Sequence, residues 1–183
     1  MPPGVGAPSR GYFGVVVYRP KYEVNLGTLW RSVNTMGGDF FGTVQPRGSA
    51  LAGTTHQRVH EDPALGQPSD TTHAEKHVPY LMFDSVEALI RGVPMVDIIG
   101  VELNHRASDL PRFVHPQRAV YLLGAEDEGI PDSVLARCNS VVQIPSFASL
   151  NVAVAGSIVV YDRVAKAQRA AAGRWKSLAP EGA

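Results

Sequence analysis

The chain has 183 residues, enough for one compact domain that buries its apolar surface without cross-links. Its 17 Lys and Arg balance 17 Asp and Glu, so a polyanionic partner gets no help from net charge and needs a local basic patch. One cysteine, Cys138, excludes an internal disulfide framework. No run of ~20 apolar residues is available to span a membrane, and MPPGVGAPSRG at the start lacks the apolar core of a signal peptide. A cytoplasmic protein without a membrane partner is therefore expected.

Residues 1–10 hold three Pro and two Gly and read as a flexible tail. YFGVVVY at 12–18 reads as a buried strand, and RPKYEVNLG as a loop with Asn25 placed to cap a helix. Apolar residues at 26, 29, 30, 33 and 36 have helical spacing, and Gly37-Gly38 ends that helix. FFGTVQP at 40–46 is a second strand, which makes the opening a β-α-β unit. Residues 47–78 are rich in Gly, Pro, Ser, Thr and His with little periodicity, a connection long enough to be functional or disordered.

The alternation then resumes. VPYLMF at 78–83 is a strand, Ser85 caps VEALIRG, and PMVDIIGVEL at 94–103 is the next strand. HRASDLPRFVHPQ is a loop with one helical turn. A strand at 119–124, a short helix at 131–137, a strand at 140–144 and a helix from about 150 to 171 complete the order. Residues 173–183 read as a second flexible tail. Alternating strands and helices predict a single α/β domain over 1–183, with a mostly parallel sheet and helices on both faces. Cys138, between a helix and a strand, reads as a buried inert thiol. Two neighbouring strand ends, at Gly124 and Ile144-Pro145, each open a loop. In open parallel sheets such a crevice holds the ligand.

Several chemistries lack their signatures. No G-x-G-x-x-G follows the first strand, no phosphate-binding G-x-x-x-x-G-K-[ST] occurs, and there is no G-x-S-x-G elbow. The pairs His56/His60 and His73/His77 have ligand spacing, but they lie in a polar, Pro-containing segment with no assured helix. Solvated histidines and no metal site are expected.

Three blocks carry a more specific signal. The first is N-x-G-x-x-x-R at Asn25, Gly27 and Arg31. The second is an apolar strand followed by G-x-E-x-x-G at Gly124, Glu126 and Gly129. The third is I-P-x(4)-S-L-N-V-x-V-A, with Ile144, Pro145, Ser149, Leu150, Asn151, Val152, Val154 and Ala155. Taken singly they are ordinary: a cap and a surface Arg, a solvated acidic loop, a second cap at Ser149 or Asn151. Together, in this order and spacing, they resemble the SpoU family of RNA ribose 2′-O-methyltransferases, part of the SPOUT superfamily.

The resemblance implies a C-terminal trefoil knot (the SPOUT fold), S-adenosylmethionine (SAM) as cofactor, a homodimer, and an RNA substrate, tRNA being favoured over rRNA. It implies Arg31 as the main catalytic group, with Asn25, Glu126, Ser149 and Asn151 beside it. Arg stays protonated, so Arg31 suits binding a phosphate and stabilising a developing alkoxide better than acting as a base. Leu122, Leu123, Gly124, Glu126, Gly129, Ile144, Ser149 and Leu150 are expected to cradle the cofactor. Arg10, Arg19, Lys21, Arg47, Arg58 and Lys76 are the cations placed to meet RNA. The competing reading is a non-catalytic RNA-binding or ribosome-assembly protein that keeps the fold.

Overall fold

The structure, a computed structural model, describes residues 11–48, 74–125 and 127–178. Arg10, Arg58, Glu126, His56, His60 and His73 lie outside the described residues, as does most of the 47–78 connection.

Among the described residues, seven strands form one sheet: β1 Tyr12–Tyr18, β2 Phe40–Val44, β3 Tyr80–Phe83, β4 Asp97–Val101, β5 Ser108–Asp109, β6 Arg118–Gly124 and β7 Ser140–Gln143. Their order is β3-β2-β1-β6-β4-β7-β5, and every pair is parallel. The helices are α1 Glu23–Thr35, α2 Val86–Gly92, α3 Asp132–Leu135 and α4 Val152–Leu178. The expected α/β architecture is present.

Strand alternation divides the core in two. Phe13, Val15 and Val17 of β1, with Tyr121 and Leu123 of β6, pack beneath α1 and α4. Val16 and Tyr18, with Val120 and Leu122, belong to a second cluster with Val86 and Leu89 of α2 and Leu135 of α3. Helices thus cover both faces. Trp30 of α1 stacks near Phe41 and Tyr80, and its indole N–H donates to the Val78 carbonyl at 3.0 Å. That bond anchors the chain where it returns toward β3.

The ends of α1 and α4 depart from the sequence reading. Helix α1 starts two residues before Asn25, with Tyr22 as an extended N-cap and Glu23 in the first turn. A carboxylate there suits the positive helix end. Asn25 is therefore inside the helix, and its side chain serves another contact. Gly37, at φ +76°, ends the helix as the sequence suggests. Helix α4 runs on through Gly173 to Leu178, beyond the boundary of about 171 and into the stretch expected to form a tail. Alanines at 170–172 have the propensity to carry it. Ser85 caps α2, accepting from the Ala88 amide at 3.0 Å.

At the amino end of β6 a buried polar cluster joins α4 to the loop before the strand. Arg163 is only 3% exposed. It donates to the carbonyls of Pro116 and Gln117 and to the Tyr121 hydroxyl, at 2.8 to 3.0 Å. His115 lies between the Tyr121 hydroxyl at 2.6 Å and Asp162 at 2.8 Å. Lys166 donates to the Leu110 and Phe113 carbonyls and pairs with Asp162. Burial lowers the His115 pKa from its ordinary 6.5 and outweighs the opposing pull of Asp162.

Two outcomes are expected. With the folded pKa lowered, the unfolded chain takes up the His115 proton first as pH falls. The stability contribution is full above about pH 6.5 and is lost as pH drops toward the folded pKa. Urea midpoints should fall between about pH 7.5 and 5, and His115→Gln should shrink that fall. Burial also pushes the Cys138 thiol up to about 11. Thiol reagents at about pH 8 should therefore label Cys138 far more slowly in the native protein than in urea.

Candidate functional site

A cavity of about 290 Å³ opens at the carboxyl edge of the sheet. Its floor is the ends of β4 and β6, at Val101, Leu123 and Gly124. One wall is the loop after β6, at Asp127, Glu128 and Gly129; the other is the segment after β7, at Ile144, Ser146, Ser149 and Leu150. Val152 and Ala155 of α4 close the side. Such an edge is where parallel sheets bind ligands, because the strand ends diverge into loops there.

The loop after β6 folds back sharply. The Gly129 amide donates to the Ala125 carbonyl at 2.8 Å, closing a small antiparallel bridge. A Cβ on Gly124 would stand 2.4 Å from the Gly129 carbonyl carbon, and Gly129 itself holds φ +62°. Both positions therefore require glycine. The turn is pinned from β4: Glu102 accepts from the Ile130 amide at 2.8 Å and from its neighbour Leu103 at 3.0 Å. Hydrogen bonds from Arg47 hold the Asp127 carboxyl below its ordinary pKa, so it is ionised at neutral pH.

The segment after β7 turns into α4 through Asn151. Its Oδ1 accepts from the amides of Ala153 at 2.9 Å and Val154 at 3.4 Å, which makes Asn151 the helix cap. Its Nδ2 donates to Asn25 Oδ1 at 3.1 Å. One turn further along, Ser157 Oγ lies 2.8 Å from Ser32 Oγ, and Gly156 packs against Leu29 and Leu123. The small residues of α4 let it lie close on α1.

Of the residues singled out from the sequence, Leu123, Gly124, Gly129, Ile144, Ser149 and Leu150 line the cavity. Leu122 does not: strand alternation turns it to the opposite face, where it is fully buried with Val16 and Val120. Asn25 and Asn151 meet each other outside the lining. Arg31 is exposed and absent from the lining. It lies about 120° around α1 from Asn25, on a solvent-facing stripe with Val24, Thr28 and Thr35. The sequence reading missed Glu102 because it sits inside PMVDIIGVEL, taken as one continuous strand; β4 ends one residue earlier, at Val101. Of the cations expected to meet RNA, Arg19, Lys21 and Arg47 pair with Asp127 and Glu128.

The cavity suits S-adenosylmethionine. Leu123, Ile144, Leu150 and Val152 offer an apolar slot for an adenine. The carboxylates of Glu102, Asp127 and Glu128 also stand in the lining, the last two already paired with Arg47, Arg19 and Lys21. Among the described residues no group of three or more His, Cys, Asp or Glu is placed to hold a metal, and no helix is long and apolar enough to cross a membrane.

Comparison with known proteins adds to this geometry. A model of the SpoU rRNA Methylase family matches residues 12–161. The 23S rRNA (guanosine-2′-O-)-methyltransferase RlmB of Bordetella pertussis is 30% identical over 149 residues, covering 79% of this chain; the chain spans only 56% of that relative's length. A solved structure concerned with the 2-OH methylation of C/U34 on tRNA superimposes with a TM-score of 0.68 at 24% identity, over 90% of this chain and 99% of that one. The SpoU methyltransferase AviRb of Streptomyces viridochromogenes, in complex with the cofactor AdoMet, gives 0.66 at 25% identity, over 87% and 61%.

Gly124→Ala is expected to lower stability by about 2 kcal/mol, because backbone rather than a flexible side chain must move. The thermal midpoint checks this, and the cavity wall should loosen with it, seen as faster amide exchange at Gly129 and Ile130.

Proposed function

The chain belongs to the SpoU methylase family, and from that premise we propose that it transfers a methyl group from S-adenosylmethionine to a ribose 2′-hydroxyl of RNA. The observation that carries the reading is the cavity between the two loops, with the Asn25–Asn151 bond at its edge. That bond joins the first and third sequence blocks. When bound, S-adenosylmethionine supplies a methyl activated by a sulfonium centre, so no metal is required. The protein's share is positioning and charge stabilisation.

Leu123, Gly124, Gly129, Ile144 and Leu150 hold the cofactor, with Ser149 at the side facing the acceptor. Asn151 keeps α4 in place and, with Asn25, orients the acceptor ribose. Glu126, from the second sequence block, is assigned to the same reaction on the strength of the family pattern alone. The acceptor hydroxyl would release its proton to solvent as its oxygen gains the methyl, and the donor would leave as the neutral thioether, S-adenosylhomocysteine. Arg31 binds the neighbouring phosphate and stabilises the negative charge that develops.

Because Arg31 is exposed and outside the lining, we assign it to the site of a partner copy in a homodimer. Val154, Ile158 and Tyr161 support such a pairing: they make an exposed apolar stripe on α4 beside the α1 contact. In a parallel sheet with this strand order, the loops 125–131 and 144–151 are where the family's trefoil knot would cross. We favour tRNA as substrate over rRNA, since the tRNA-directed structure matches over nearly its whole length. The activity is placed in the cytoplasm with its RNA.

The test is Arg31→Ala. Methyl transfer to RNA should fall by at least about a thousandfold, while calorimetric SAM affinity stays within about twofold. Full activity in this variant would sink the assignment. If the wild-type protein binds no SAM, the non-catalytic RNA-binding reading takes over.

A further inference from the structure

Three adjacent strands of the sheet, β2, β1 and β6, send their exit loops to one point, and Arg47 stands there. Its backbone amide donates to the Pro20 carbonyl at 2.8 Å, and its Nε donates to the Arg19 carbonyl at 2.9 Å. Its Nη1 reaches Glu128 at 2.9 Å and its Nη2 reaches Asp127 at 2.8 Å. All three guanidinium nitrogens are thus engaged, two by carboxylates that line the cavity. Around them, Arg19 lies 3.0 Å from Glu128 and Lys21 lies 3.6 Å from Asp127. Arg19 and Gln45 both hold the left-handed conformation, at φ +48° and +49°. Non-glycine residues accept that only where the surroundings enforce it.

We propose that Arg47 is a positioning residue for the cofactor site, fixing the wall formed by the loop after β6. The inference deepens the proposed SAM-dependent reaction and rests on it. Two anchors hold the loop: Glu102 takes the Ile130 amide on the β4 side, and Arg47 takes Asp127 and Glu128 on the β2 side. Without Arg47, two neighbouring carboxylates face each other with weaker compensation, and the loop pivots on Glu102. The planar fork matters, because one guanidinium reaches both carboxylates and a carbonyl at once, which a lysine ammonium does not do with the same geometry. Asp127 and Glu128 remain about 40% exposed, so salt reaches the clamp and weakens it. Of the cations that look like an RNA patch in the sequence, Arg19, Lys21 and Arg47 form, in this arrangement, a brace for the loop.

Three variants test this: Arg47→Ala, Arg47→Lys, and the pair Asp127→Asn with Glu128→Gln. SAM binding is measured by calorimetry at about 50 and about 500 mM NaCl. Amide exchange is followed at Gly129 and Ile130 without ligand. Arg47→Ala should raise the SAM Kd and KM about five- to tenfold at low salt, with kcat at saturating SAM within about twofold. Arg47→Lys should fall between, and the carboxylate pair should match Arg47→Ala without adding to it. Wild-type affinity should weaken with salt more steeply than that of Arg47→Ala. Exchange at Gly129 and Ile130 should quicken in Arg47→Ala. Wild-type SAM affinity together with unchanged exchange in Arg47→Ala would overturn the proposal. So would a loss confined to RNA affinity, which would make Arg47 an RNA contact. If the wild-type protein binds no SAM, the reaction reading fails, and the exchange data still decide whether Arg47 braces the loop.

Discussion

The site depends on one contact between helices that are far apart in the chain. Asn151 caps α4 with its Oδ1 and gives its Nδ2 to Asn25 in the first turn of α1, 126 residues away. A cap alone orients a helix end, and a lone asparagine in α1 would be a weak helix former. Joined, they set where α4 begins relative to α1, and with that the depth of the cavity between the β6 and β7 loops. Gly156 against Leu29 and Ser157 beside Ser32 continue the same close approach one turn on. Larger residues there would part the helices and displace the third block from the first.

Charge is arranged differently at the two ends of the sheet. At the carboxyl edge, the ion pairs of Arg47, Arg19 and Lys21 with Asp127 and Glu128 are partly exposed, screened by salt, and able to yield. At the amino end of β6, Arg163 is buried and bonded through its two Nη atoms to carbonyls and a hydroxyl, with Asp162 and Lys166 nearby. A buried cation held by several hydrogen bonds is costly to disturb. Charge is thus buried where α4 is anchored and partly exposed where ligands enter. The zero net charge conceals both arrangements.

Much of the fold was readable because parallel α/β units carry strong local patterns. The runs at 12–18 and 119–124 are bounded by turn residues, and the strands appear there. Gly37 and Ser85 end and begin helices as their chemistry suggests. The cavity lining was readable in part for the same reason: Leu123, Gly124, Ile144 and Leu150 stand at or just past strand ends. Leu122 shows the limit of that reading. Adjacent residues in a strand face opposite sides, and which side holds the cavity depends on where α4 packs.

The sequence by itself determined the order of elements except the two-residue edge strand β5, read as loop, together with the positions that need glycine and the family blocks, since these are written in local spacing and residue type. It did not reveal that Asn25 lies inside a helix and meets Asn151, that Glu102 pins the β6 loop, or that Arg47 braces it. Those contacts join residues 28 to 126 positions apart. They exist only because parallel strands order themselves as β2-β1-β6-β4-β7 and bring distant loops to one edge. Whether a charged side chain faces solvent, RNA or a neighbouring carboxylate follows from that strand order, and the tertiary structure alone decided it.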